Sequence, residues 1–349
     1  MIKEMTAVLP RERVQRFFRG LTVDRPPFIP LIYTLAAELA QVPVREMATN
    51  PTRLANALSA CQKLFGFDAV TAVFDLTLEA EVLGAEVLGA GVEWPEGGWP
   101  CQAAGEVDVR LVPPAELLAS GRLGAAVEAV KRLAATPGRQ AAVVAVVTGP
   151  VTLSVYLGGQ DCLAGCLRGE AAAERIWRLS QEMVTVRVRH LGEMQVDAVL
   201  VCEPEIGQMP IEFLPQAVSA FTPIWNTVRF YDRPAILYAK PDGNIVEHLM
   251  KILPQGPVGL IWSAAARDTL PSVAEMAAKY NTYLGLGLGA EMFSPACTDR
   301  QGYLKEVERL AGSISCFYST AEEIPPHTRP QEIQAMMQEL SSYCAAKAG

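Results

Sequence analysis

The chain has 349 residues, of which half are hydrophobic and 19% are charged, with a formal net charge of −8. That composition is globular and excludes a disordered chain, and the length suits one large domain or two ordinary ones. A negative field with no cluster of Lys and Arg sets nucleic acid aside as a partner.

The opening "MIKEMTAVLPRERVQRF" has no apolar core of a secretory signal, so a cytoplasmic protein is expected. Eight short apolar runs then follow in order. They are "PFIPLIY" (27–33), "AVTAVFD" (69–75), "AAVVAVV" (141–147), "AVLVCEP" (198–204), "AILYAK" (235–240), "VGLIWS" (258–263), "YLGLGLG" (283–289) and "ISCFYS" (314–319). Each is continuously hydrophobic rather than alternating, the pattern of strands covered on both faces in a parallel sheet.

Between the runs the sequence is helix-compatible. "GEAAAERIWRLSQEMVTVRVRHLGEM" sets Ile176, Leu179, Met183 and Val186 at helical spacing, with Arg178, Glu182 and Arg189 on the opposite face. "NIVEHLMKIL" opens on Asn244 with Glu247 three residues later, resembling a capping box. After the second run, residues 81–102, "EVLGAEVLGAGVEWPEGGWPCQ", carry Pro/Gly turns and β-prone residues that predict an inserted hairpin.

The uncharged window 141–159 has the length of a membrane span. Thr148-Gly149-Pro150 divides it into a strand and a following segment, so no span is expected. Eight cysteines are scattered through the chain, the pattern of reduced thiols, and the close pair Cys162 and Cys166 reads as helix-buried thiols.

Eight β/α alternations predict a (β/α)8 TIM barrel occupying residues 1–349 as a single domain, with a doubly wound sheet as the alternative. In such barrels the site lies at the carboxyl ends of the strands. That rule selects Tyr33, Asp75, Thr148, Glu203, Lys240, Ser263 and Ser319. Asp75, with Glu79 and Glu81 close behind, suits an acid/base group, a substrate acceptor or a helix cap. Glu203 and Glu205 repeat the arrangement at the fourth run, and Lys240 is the candidate cation for a buried Glu203, the alternative being that both point separately into solvent. Tyr156, beyond the Gly149-Pro150 turn, offers either a phenol at the site or helix packing.

Two motifs are set aside. "GLGLGAE" has the spacing of a dinucleotide loop, but it falls in the seventh run, where small residues for barrel packing are expected. The three histidines, at 190, 248 and 327, sit at no strand end, so neither a Ser-His-Asp mechanism nor a His-rich metal site is supported.

"RERVQRFFRGLTVDRPPFIP", "FDAVTAVFDLTLEAEVLGAEV", "VVTGPVTLSVYLGG" and "EEIPPHTRPQEIQAMM" together resemble the uroporphyrinogen decarboxylase superfamily and its corrinoid-linked methyltransferase relatives. The resemblance runs along nearly the whole chain and implies a (β/α)8 barrel. "TLEAEVLGAEV" is more similar to the methylcobalamin:coenzyme M methyltransferase branch. This implies methyl transfer between a small molecule and a cobalamin (corrinoid) held on a partner protein, with a homodimer as the suggested assembly.

Where the porphyrinogen decarboxylases carry an arginine-rich motif for substrate carboxylates, this sequence reads "LIYTLAAEL". Where thiol-directed methyltransferases carry L-H-x-C-G and a later G-C as zinc ligands, the matching positions are Tyr238, Lys240 and Glu322. An ammonium is a poor ligand and the soft sulfurs are missing, so no zinc is expected. The expected site therefore comprises Asp75, Glu203, Lys240 and Tyr156 as catalytic groups, and Tyr33, Tyr238, Ser263 and Glu322 as substrate contacts. A metal-free decarboxylase acting on another substrate, and a non-catalytic barrel subunit, remain the alternative readings.

Overall fold

The computed structural model describes residues 8–87, 113–136, 139–240, 246–253 and 258–348. All eight apolar runs form strands: β1 Phe28–Ile29, β2 Ala69–Ala72, β3 Ala142–Thr148, β4 Ala198–Glu203, β5 Ala235–Ala239, β6 Val258–Ser263, β7 Thr282–Leu288 and β8 Cys316–Thr320. They make one parallel sheet in the order β1-β8-β7-β6-β5-β4-β3-β2. With helices between successive strands, this is a nearly closed (β/α)8 TIM barrel. The doubly wound alternative is thereby set aside.

The seam between β1 and β2 is closed by side chains rather than a ladder. Pro26, Pro27 and Pro30 flank β1 and carry no backbone N–H to donate, which keeps that strand to two residues. Asp68 bridges the gap. Its carboxylate accepts the Phe28 N–H at 2.7 Å, and its own N–H donates to the Phe28 carbonyl at 3.1 Å. Arg13 and Arg25 hold the same carboxylate at 2.5 and 2.6 Å, so the buried charge is paired.

The amino end of the barrel is plugged. The helix Pro10–Phe18 brings Phe17 and Phe18 against Tyr283 and Phe317, with ring centroids 4.9–6.0 Å apart. Phe317 fits because β6 and β7 carry Gly259 and Gly285 beside it, where an added Cβ would come within 3.2 and 2.5 Å of its ring. The glycines of the seventh run thus serve barrel packing.

Three local expectations change. In the helix Ala171–Glu193 the buried stripe runs through Trp177, Ser180, Met183, Val184, Arg187 and Leu191, while Ile176, Leu179 and Val186 are only half-buried. The buried face is rotated toward Arg187, whose guanidinium is buried on the internal carboxylate of Glu79. Of the expected hairpin, residues 81–82 end a short helix, Leu78–Val82, and residues 88–102 lie outside the described residues. Asn244 of the expected cap and Cys101 also lie outside them. Cys162 and Cys166 are free thiols on the helix Cys162–Leu167, the first buried and the second half-buried. Among the described residues no helix is long and apolar enough to cross a membrane.

Candidate functional site

The carboxyl ends of the strands carry polar side chains, some paired with one another and others bonded to backbone groups. After β2 the chain turns at Val73, a β-branched residue held at φ 68°, a conformation such residues adopt only under strain. The turn carries Asp75 inward, where it is buried. Asp75 accepts the Thr77 N–H at 3.0 Å and the Thr77 hydroxyl at 2.7 Å, while Arg122 holds its other oxygen at 2.5 Å. Arg122 also reaches Glu81 at 2.8 Å and the Thr77 hydroxyl at 2.9 Å. Burial works against the Arg122 charge, but Asp75 and Glu81 outweigh it and raise its pKa.

A second buried pair lies beneath. Glu79 meets Arg187 at 3.4 Å and the Thr148 hydroxyl, at the end of β3, at 3.0 Å. Burial raises the Glu79 carboxyl despite the opposing charge of Arg187, and burial lowers the guanidinium in turn. Arg122 and Arg187 were not anticipated. Both sit within helices, where spacing reads a lone arginine as solvated surface.

Two glutamates close the first turns of helices that belong to neighbouring strands. Glu203, ending β4, accepts the N–H groups of Val151 and Thr152 at 3.0 and 2.7 Å, at the start of the helix Pro150–Gly158 that follows β3. Glu323, beyond β8, accepts the N–H groups of Tyr33, Thr34 and Leu35 at the start of the helix Thr34–Leu39. Each carboxylate satisfies orphan donors of a helix N-terminus. Burial pushes both carboxyls up to about 7, although the donated hydrogen bonds pull the other way. Gly149 makes room for the first of them, since a Cβ there would overlap the Glu203 carboxylate.

Lys240 does not pair with Glu203. Its ammonium lies 3.1 Å from Glu322, in a pair whose side chains are 40% and 70% exposed. Glu203 is fully buried and its oxygens already face backbone donors, which is why the expected partnership does not form. Two residues before Lys240 on the same strand, the Tyr238 hydroxyl donates to the Ala321 carbonyl at 2.8 Å. Burial raises that phenol well above its ordinary range.

The remaining candidates fall into place around these clusters. Tyr33 is buried, and burial followed by the charge of Asp75 raises its phenol, which puts it with the Asp75–Arg122 group. Tyr156 is buried within the helix that Glu203 caps. Ser263 is half-buried at the end of β6, in register with Gly287 of β7. The Ser319 hydroxyl donates to the Ile29 carbonyl at 2.7 Å and so belongs to the β1–β8 contact. The structure therefore brings together Tyr33 with Asp75, and Tyr238 with Lys240 and Glu322. Glu203 instead directs its hydrogen bonds to the backbone of Val151 and Thr152. Glu323 escaped notice because its partners lie about 290 residues away in sequence.

As a donor set, Tyr238, Lys240 and Glu322 offer a phenol already given to a carbonyl, an ammonium and one carboxylate. That chemistry does not match a zinc-thiolate centre, which needs deprotonated soft ligands.

Residues 9–277 match the uroporphyrinogen decarboxylase (URO-D) family. Among curated proteins, the methylcobamide:CoM methyltransferase MtbA of Methanosarcina acetivorans is 23% identical over 203 residues, covering 57% of this chain and 60% of that protein. The corresponding MtaA of Methanosarcina barkeri is 25% identical over 202 residues, covering 56% and 58%. The matches thus span about three fifths of the length of those relatives. A solved methyltransferase from Methanosarcina mazei superposes with a TM-score of 0.75 at 18% identity, covering 96% of this chain and 99% of that one, and so has the same fold.

Proposed function

We propose, from the premise that the chain belongs to the uroporphyrinogen decarboxylase family, that it is a methyltransferase moving a methyl group between a small molecule and a corrinoid carried by a partner protein. The observation that carries this reading is the kind of relative it matches, since both curated proteins above are named methylcobamide:CoM methyltransferases. The corrinoid is a co-substrate here, and the methyl-transfer chemistry is its own. This chain would supply binding and orientation.

The geometry is compatible with the following roles. Lys240, exposed at the barrel mouth, anchors the small molecule by charge, with Ser263 on the neighbouring strand as a hydrogen-bonding group. Asp75 and Glu203 act as positioning groups: the first fixes Arg122 and the loop after β2, the second holds the helix that carries Tyr156. Tyr33, buried beside the Asp75–Arg122 group, senses the Asp75 charge and would be a substrate contact on that side. The reading uses no zinc at Tyr238, Lys240 and Glu322.

Decarboxylation of a porphyrinogen-like substrate gains no support from the cations at the site, and a decarboxylase acting on another substrate stays the second reading. A porphyrinogen-like substrate carries several carboxylates and needs several free cationic partners. Arg122 is committed to Asp75 and Glu81, and Arg187 to Glu79.

The test follows the spectrum of free methylcobalamin mixed with the full chain and a range of small thiol, amine and methoxy compounds. Methyl transfer is expected with at least one class, reduced at least tenfold in Lys240→Ala and lowered in Glu203→Gln. Full transfer by both variants would overturn the assigned roles, and release of carbon dioxide without any corrinoid would replace the reading with decarboxylation.

A further inference from the structure

Strands β5 and β8 are not neighbours, because β6 and β7 lie between them in the sheet. Any bond between their carboxyl ends must therefore cross the barrel mouth. Among the described residues two such bonds are seen, Tyr238 to the Ala321 carbonyl at 2.8 Å and Lys240 to Glu322 at 3.1 Å.

The two differ in kind. The first is part-buried and fixed: Gly287 of β7 lets the backbone at Ala321 pass so closely that an added Cβ would lie 3.0 Å from the Ala321 Cα and 2.9 Å from the Trp262 carbonyl. The Ala321 N–H is tied to the Leu288 carbonyl at 2.8 Å as well. The second bond, one residue further on, is open to water on both sides. Ion pairs with that exposure hold weakly, since water and salt compete for both charges.

Four other carboxylates at this end of the barrel are engaged among the described residues. Asp75, Glu79, Glu203 and Glu323 each accept from buried or backbone donors. Glu322 has Lys240 alone as its recorded partner among the described residues. We infer that Glu322 is a displaceable counter-ion, and that the Lys240 ammonium takes the carboxylate of a small, singly anionic substrate in its place. Tyr238 and Gly287 are positioning residues that hold Ala321, and with it Glu322, at the distance from which this exchange is possible.

The inference names the substrate class of the site proposed above and rests on that reading, but its test does not need methyl transfer. Methoxyacetate and methylthioacetate, each compared with its primary amide, are titrated against the full chain while the lysine side chains are followed by 13C NMR after reductive 13C-methylation. The Lys240 signal is assigned from its loss in Lys240→Met. The acids are expected to shift that signal and the amides are not. Glu322→Gln should tighten binding of the acids about three- to tenfold, because the internal competitor is gone, and Tyr238→Phe should weaken the response of the Lys240 signal to Glu322→Gln. Equal binding of acids and amides, or acid binding that Glu322→Gln leaves unchanged or weakens, overturns the inference. Acid binding with the expected Glu322 effect but no methyl transfer under any condition would overturn the methyltransferase reading alone.

Discussion

Glu203 ends one strand of the barrel and caps the helix that leaves the strand beside it, accepting the Thr152 N–H at 2.7 Å across 51 positions of sequence. Glu323 does the same for the helix at Thr34, across the contact between β8 and β1. The barrel mouth is thus braced by carboxylates that each tie one β/α unit to the next. The cost of bracing with a charge is its desolvation, which only the helix donors offset.

That cost makes stability depend on pH. Both carboxyls sit at about 7 in the folded chain against an ordinary 4.5. Between those values the folded state keeps protons that the unfolded chain has released. Their contribution is therefore complete below about pH 4.5 and is lost as pH rises through 7. Urea midpoints measured at pH 5 and pH 7.5 should fall with rising pH, and the fall should shrink in Glu203→Gln and in Glu323→Gln. An unchanged fall in both variants would show that the two groups titrate normally.

Gly149→Ala tests the space left for Glu203. The backbone there, at φ −76°, accepts any residue, so the effect is steric: the new methyl overlaps the Glu203 carboxylate. A loss of about 1–3 kcal/mol is expected, in the range of overpacking. Combined with Glu203→Ala the loss should be less than additive, because the clash disappears with the carboxylate. Strict additivity in chemical denaturation would separate the two residues.

Arg122→Met leaves Asp75 buried without its cation. Breaking a buried pair from one side costs about 3–5 kcal/mol, and Arg122 also releases Glu81 and Thr77. Asp75→Asn in the same chain should restore part of the loss, since it removes the stranded charge. If the single variant unfolds at the wild-type urea midpoint, the pair contributes nothing to the mouth.

Tyr238→Phe keeps the ring edge-on to Phe74, whose centroid lies 6.0 Å away, and deletes only the bond to Ala321. A net loss of about 0.5–1.5 kcal/mol is expected for one such hydrogen bond. Hydrogen exchange should rise around residues 320–324 and stay unchanged in the buried strands. Protection that is lost evenly across the barrel would point to a packing fault instead.

The eight strands were legible because a strand covered on both faces needs apolar residues at every position, and that pattern survives in one dimension. The face of the helix at 171–193 was misread by one step for a related reason. Arg187 looks like surface until Glu79, 108 positions away, is seen beneath it. The candidates at strand ends were found by position, which the fold dictates. Their partners were not, and the pairing of Lys240 with Glu203 gave way to Lys240 with Glu322.

What this chain's sequence determines by itself is burial, residue by residue: which runs lie inside, where each ends, and hence which side chains reach the mouth of a parallel barrel. Only the tertiary structure decides which of those side chains meet. Asp75 finds Arg122 at 47 positions' distance and Tyr238 finds Ala321 at 83. Such pairings depend on strand register and helix placement to within an ångström or two, because a hydrogen bond exists only over a narrow range of distance and angle. Hydrophobic periodicity carries no information at that precision, so the chemistry of the site appears only when the barrel closes.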